Sequence, residues 1–122
     1  VSKTPVVSNA INEQDQELID RATAIIRKYF DDIDFDMNVL ASELGIGRSK
    51  LYLRIKEITG LTPNELTLKI KLEEAMYLLN NQPNLNISEI SYQLGFSSPR
   101  YFSKCFKSFY GVSPQNCRKG VN

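Results

Sequence analysis

Residues 37–56, MNVLASELGIGRSKLYLRIK, and residues 87–107, ISEISYQLGFSSPRYFSKCFK, spell nearly the same unit twice. This repeat constrains the chain more than any other feature, because self-similarity at a fixed period marks duplicated structure. The offset is 50 as far as the Leu-Gly pairs, from Gly45 to Gly95. It becomes 51 beyond them, from Lys56 to Lys107, Gly60 to Gly111 and Pro63 to Pro114. One residue has been added inside the turn, and the apolar positions on both sides keep their register.

In the first copy Met37, Leu40, Ala41 and Leu44 share one helical face, and Gly45 is placed to take the left-handed conformation that ends a helix. A second helix from about Arg48 turns Leu51, Ile55 and Ile58 inward. Two helices joined by a tight glycine-bearing turn make a helix-turn-helix. In the second copy Ile87, Ile90, Ser91 and Leu94 supply the matching face, Gly95 closes it and Phe96 replaces Ile46. Ser98 and Pro99 then cap and open a helix in which Phe102, Phe106 and Phe109 repeat Leu51, Ile55 and Ile58. By that correspondence Tyr101, Phe102 and Phe106 are expected in the core and not stacked on bases.

Leu18, Ile19, Ala22, Ile25, Ile26, Tyr29 and Phe30 recur at steps of three and four, so a helix from about Asn12 precedes the first copy. Thr62-Pro63-Asn64-Glu65 is a capping box that opens a long helix running to about Asn81, where Gln82-Pro83-Asn84 stops it. At 1.5 Å per residue that element spans roughly 27 Å. Asn86 with Glu89 forms a second box, and Ser113-Pro114 starts a short last helix reaching Lys119. The expectation is an all-α fold of about seven helices, with two helix-turn-helix subdomains joined by a long linker helix. Residues 1–11 read as a disordered lead or linker, 12–62 as the first helix and first helix-turn-helix, 63–81 as the linker helix, and 82–122 as the second helix-turn-helix with the C-terminal helix.

Composition narrows the function. A chain of 122 residues supports one core, and no apolar run approaches the ~20 residues that cross a bilayer. The start shows no secretion signal, so a cytoplasmic location is expected, with no membrane contact by this segment. There is no histidine, which removes the usual general base, the triads built on it and the commonest metal ligand. With no glycine-rich phosphate loop either, no enzyme is expected. Cys105 and Cys117 lack metal or disulfide spacing and read as reduced, partly buried thiols. Asp32, Asp34, Asp36 and Glu43 occupy positions 1, 3, 5 and 12 of a calcium loop, but position 6 is Met37 and position 9 is Leu40. Asp36 is better read as a helix N-cap, and neither metal nor cofactor is expected.

Charge is unevenly placed. Up to residue 47 there are four Lys/Arg against nine Asp/Glu, and from residue 48 onward eleven against five. The positive excess lies on the segments after each Leu-Gly, as a polyanion-binding surface requires. The outward face of the second helix in each copy carries Arg48, Ser49, Tyr52, Leu53 and Arg54, and then Ser98, Arg100, Ser103, Lys104 and Lys107. Arg and Lys grip phosphates or donate to guanine, Ser serves either, and Tyr gives an amphipathic contact. Lys69 and Lys71 are expected to be solvated or near phosphates.

These residues resemble the bacterial AraC/XylS-type transcription regulators. The resemblance rests on KLEEAMYLL, ISEISYQLGFSSPRYFSKCFK and FYGVSP in the second half and LASELGIGRSKLYLRIKEITGLTPNE in the first, covering about residues 12–119. The acidic first helix together with this domain is also similar to the C-terminal output region of Bacteroides-type hybrid two-component sensor regulators. The resemblance implies double-stranded DNA as partner, with helices near 48–59 and 98–110 entering successive major-groove segments about one turn, ~34 Å, apart. Carried over by position, base contacts fall on Arg48, Ser49, Tyr52, Leu53, Arg100, Ser103 and Lys104, and phosphate contacts on Arg54, Lys56, Ser98 and Lys107. RNA polymerase, and the sensor or receiver domains of a longer parent chain anchored in the inner membrane, are the further partners implied. Gly47 stands where the family has a capping serine, Leu53 where a polar residue is common, and Cys117 where an aromatic is expected. Leu53 suggests a more apolar reading by the first motif, of a thymine methyl. The other reading of the same basic face is a helical module that binds a protein.

Overall fold

A computed structural model describes residues 12–120, and the expected disordered lead at 1–11 lies outside the described residues. Among the described residues there are seven helices and no strands: α1 (Glu13–Lys28), α2 (Met37–Leu44), α3 (Arg48–Thr59), α4 (Pro63–Asn81), α5 (Ile87–Gln93), α6 (Pro99–Tyr110) and α7 (Pro114–Lys119). The chain gathers into two compact units, each with its own buried cluster, where length alone led to the expectation of one core. Among the described residues the first holds 12–29 and Asp34–Ile70, and the second holds Phe30–Ile33 and 71–120.

Local chemistry fixes the helix ends. Asn12 Oδ1 accepts from the Asp15 N–H at 2.8 Å and starts α1. Asp36 accepts from Asn38 and Val39 N–H at 2.9 and 3.2 Å, so its carboxylate caps α2 as expected. Both expected boxes form: Thr62 with Glu65 at 2.9 and 3.1 Å, and Asn86 with Glu89 at 2.8 Å in each direction. The duplicated turn repeats to the bond. Ile46 and Gly45 N–H donate to the carbonyls of Ala41 and Ser42, and Phe96 and Gly95 N–H donate to those of Ser91 and Tyr92. Each set is the paired closure that a left-handed glycine allows at a helix end, with φ of 73° at Gly45 and 76° at Gly95.

In the first unit Ala22 and Ile26 of α1, Leu40, Ala41 and Leu44 of α2, Leu51, Ile55 and Ile58 of α3, and Leu66 and Ile70 of α4 form the core. Tyr29 stacks on Phe35 with centroids 5.2 Å apart and donates its O–H to Glu43 at 2.5 Å. That hydrogen bond, and then the nearby Lys28, hold the Glu43 carboxyl below its ordinary range.

In the second unit Leu72, Ala75, Leu78 and Leu79 of α4 are buried with Ile90, Leu94, Phe96, Phe102 and Phe106. The rings of Phe96, Phe102, Phe106 and Tyr110 follow one another at 5.1, 5.8 and 4.7 Å, a run of tilted aromatic contacts. Buried Ser91 satisfies its hydroxyl on the Ser88 carbonyl at 2.9 Å.

Two core expectations and one surface expectation need correction. Phe109 is 46% exposed and does not fill the place of Ile58. The next residue, Tyr110, turns inward instead and bonds the Leu72 carbonyl at 3.2 Å. Tyr101 is half exposed and only flanks Phe96, at 6.0 Å between ring centroids. Lys71 is not solvated: it is half-buried, with its ammonium 5.7 Å from the centre of the Phe96 ring. Burial pushes the pKa of that ammonium down, against the pull of Asp32.

Arg118, to which the sequence assigned nothing, holds the second unit's connection between α4 and α5. Its guanidinium donates to the carbonyls of Leu79, Gln82 and Leu85. Cys117 lies with its sulfur 3.6 Å from that of Met76, a soft apolar contact where an aromatic was expected.

Candidate nucleic-acid interface

Each unit carries its candidate surface on the helix that follows its glycine turn. In the first unit that helix is α3. Gly47 precedes it without a side-chain cap, so the first N–H groups of α3 have no hydroxyl or carboxylate from their own cap residue. Arg48, Ser49, Tyr52 and Leu53 are exposed, one helical turn apart in pairs. Arg48 rests its guanidinium on Asn38 Oδ1 at 3.2 Å, a neutral partner that leaves its charge uncompensated. Together with Met37 from α2, these four side chains line an open cavity of about 490 Å³.

Arg54 differs from the rest. Its guanidinium is bonded to Glu57 at 2.8 Å and to Asp15 of α1. These bonds, Glu57 first, raise its pKa and commit the side chain to the fold of its own unit. Lys56 is exposed near Glu65, whose carboxyl is held low first by the Thr62 N–H and then by that lysine.

In the second unit α6 carries three stripes. Phe102, Phe106 and Tyr110 face the core, and Tyr101, Cys105 and Phe109 form a partly exposed flank. Arg100, Ser103, Lys104 and Lys107 form the third, with the three cations exposed and Ser103 half-buried. Among the described residues no carboxylate pairs with Arg100, Lys104 or Lys107. Ser98 caps the helix by accepting from the Tyr101 N–H at 3.0 Å, which leaves its own O–H free to donate. Its three cations are donors only, suited to phosphate oxygens and to the acceptor-rich edge of guanine, and the Ser103 hydroxyl can donate or accept beside them.

The structure thus brings Arg48, Ser49, Tyr52 and Leu53 together on α3, and Arg100, Ser103, Lys104 and Lys107 together on α6. It sets Arg54 apart from both groups. Met37 is the lining residue that the sequence assigned to the core alone, since a helical face that is half-buried reads the same as one fully buried.

Comparison with known proteins agrees with this architecture. The family described as Helix-turn-helix domain matches residues 40–120. Histidine kinase P4 of Formosa agariphila is 40% identical over 104 residues, 85% of this chain and 8% of that protein. The Msm operon regulatory protein of Streptococcus mutans is 40% identical over 85 residues, 70% of this chain and 30% of that protein. The chain therefore spans less than a third of the length of these curated relatives. The C-terminal domain of AraT, a response regulator from Geobacillus stearothermophilus, superimposes with a TM-score of 0.76 at 33% identity, covering 84% of each chain.

Proposed function

The chain belongs to the AraC/XylS-type helix-turn-helix DNA-binding domains, and we propose that it is the output domain of a bacterial transcription activator, reading two successive major-groove segments of double-stranded DNA through α3 and α6. The observation that carries this reading is the α6 stripe: three exposed cations, one turn apart and without carboxylate partners, on a helix whose opposite side is aromatic core. A side chain evolved only for solubility would tolerate an acidic neighbour, whereas a groove-facing stripe must exclude one.

Base edges fall to Arg48, Ser49, Tyr52 and Leu53 on α3 and to Arg100, Ser103 and Lys104 on α6. Phosphates fall to Lys56, Ser98 and Lys107. Arg54 reaches a phosphate only by leaving Asp15 and Glu57, so its first role is to tie α1 to α3. The likeness to part of a histidine kinase and to a response regulator's C-terminal domain supports a parent chain with sensor or receiver domains; contact with RNA polymerase in the cytoplasm is the role that an activator's output domain would add. No helix among the described residues is long and apolar enough to cross a membrane.

A salt titration of binding to random and promoter duplexes tests the reading. Phosphate contacts make the logarithm of affinity fall with the logarithm of salt at a slope of about −0.9 per contact, several units in all. Failure to bind any duplex at low salt would overturn the proposal and leave a protein-binding module as the use of the same face.

A further inference from the structure

The two recognition helices offer opposite chemistry at matching positions. Where α6 places Ser103 and Lys104, α3 places Tyr52 and Leu53. Both are large and solvent-facing, Tyr52 at 42% and Leu53 at 59% exposure, so neither is explained by the core. Across from them Met37, at the first position of α2, is half-buried. The three side chains line the cavity of about 490 Å³ together with Arg48 and Ser49, two polar side chains of α3 assigned to base contact. An apolar recess is thus continuous with the surface that faces the groove.

A major groove presents donors, acceptors and one apolar group, the C5-methyl of thymine. Resting on the proposed function, we infer that the slot formed by Met37, Tyr52 and Leu53 receives a thymine methyl, so that the first motif selects a T·A pair at its centre while the second reads guanine through Arg100. Met37 is a specificity-determining residue in this assignment, although it belongs to the helix that does not enter the groove. Arg48 and Ser49 at the rim supply the polar contacts that orient the duplex over the slot.

The test starts from duplexes that the intact chain selects out of a random pool. Each dT of the first half-site is then replaced in turn by dU, which deletes one methyl and keeps every base-pairing and groove hydrogen-bonding atom. One such replacement is expected to weaken binding about fourfold, the effect of returning one methyl-sized group to water. The Leu53→Ser variant, changed at an exposed position and checked by its unfolding midpoint, is expected to bind dT and dU duplexes equally. If no dU replacement weakens binding while Arg100→Ala still relaxes selection, the slot assignment is wrong and the DNA reading stands. If the dU penalty persists in Leu53→Ser, the methyl is read elsewhere and the assignment also fails. If the pool yields no preferred sequence at all, the proposed function fails and the slot with it.

Discussion

The carbonyl oxygen of Phe30 stands 2.5 Å from the point where a Cβ on Gly95 would begin, with Lys71 Nζ at 3.3 Å and the Asp32 carbonyl at 3.5 Å. Gly45, at the same place in the first copy, has the same left-handed backbone and nothing within 4 Å. One turn conformation therefore serves two ends: in the first unit it only closes a helix, and in the second it also admits the Phe30–Ile33 backbone. Gly45→Ala should cost about 1–2 kcal/mol, the strain of a left-handed alanine. Gly95→Ala should cost about 2–5 kcal/mol, because a backbone carbonyl must also be displaced. Denaturant midpoints of the two variants measure the difference, and equal losses would mean that the Phe30–Ile33 segment yields freely.

Arg118 should matter more to stability than its place in a short last helix suggests. Arg118→Ala leaves the carbonyls of Leu79, Gln82 and Leu85 without their donor, at an expected loss of about 1–3 kcal/mol. Arg118→Lys should recover little of it, since an ammonium cannot span three carbonyls with a planar fork. Full recovery by lysine, read from thermal unfolding, would show that charge alone holds the connection.

Arg54 and Lys107 should separate in a salt titration. Lys107→Ala is expected to lower the salt slope by about one on every duplex, random or selected. Arg54→Ala should leave the slope nearly unchanged and lower stability instead, because its partners are Asp15 and Glu57. A slope change at Arg54 equal to that at Lys107 would move Arg54 back among the phosphate contacts.

The Tyr29–Glu43 hydrogen bond predicts a sign for the acid dependence of stability. Glu43 has a folded pKa below its ordinary value of 4.5, with the Tyr29 hydroxyl the largest cause. A depressed folded pKa means that the unfolded chain binds the proton first, so stability rises with pH there. The contribution is present above the ordinary carboxyl range and is lost as pH falls through the lowered value. Glu43→Gln should therefore show a flatter decline than the parent chain between about pH 5 and pH 3. A steeper decline in the variant would reverse the assignment.

Much of this was legible in the sequence, because glycines, prolines and caps act locally. Asn12, Asp36, Thr62, Asn86, Ser98 and Ser113 mark six helix starts by chemistry that reaches only two or three residues. What escaped depends on distance in sequence. Arg54 meets Asp15 across 39 positions, and Arg118 meets Leu85 across 33. No spacing rule announces such pairs. Phe109 misled for a different reason: strict copying of the first repeat put it where Ile58 lies. In the second unit it is the Tyr110 ring that enters, since its hydroxyl finds the Leu72 carbonyl. Lys71 reads as a surface lysine until its ammonium is seen beside the Phe96 ring and the Gly95 turn.

Hydroxyl-radical footprinting on a selected duplex tests two-groove reading by α3 and α6 most directly, because it reports how many segments the chain occupies and on which face. Two protected patches are expected on one face of the duplex, centred about 10 base pairs apart, with Arg100→Ala weakening one and Leu53→Ser the other. A single patch, or two patches on opposite faces, would contradict two-groove reading.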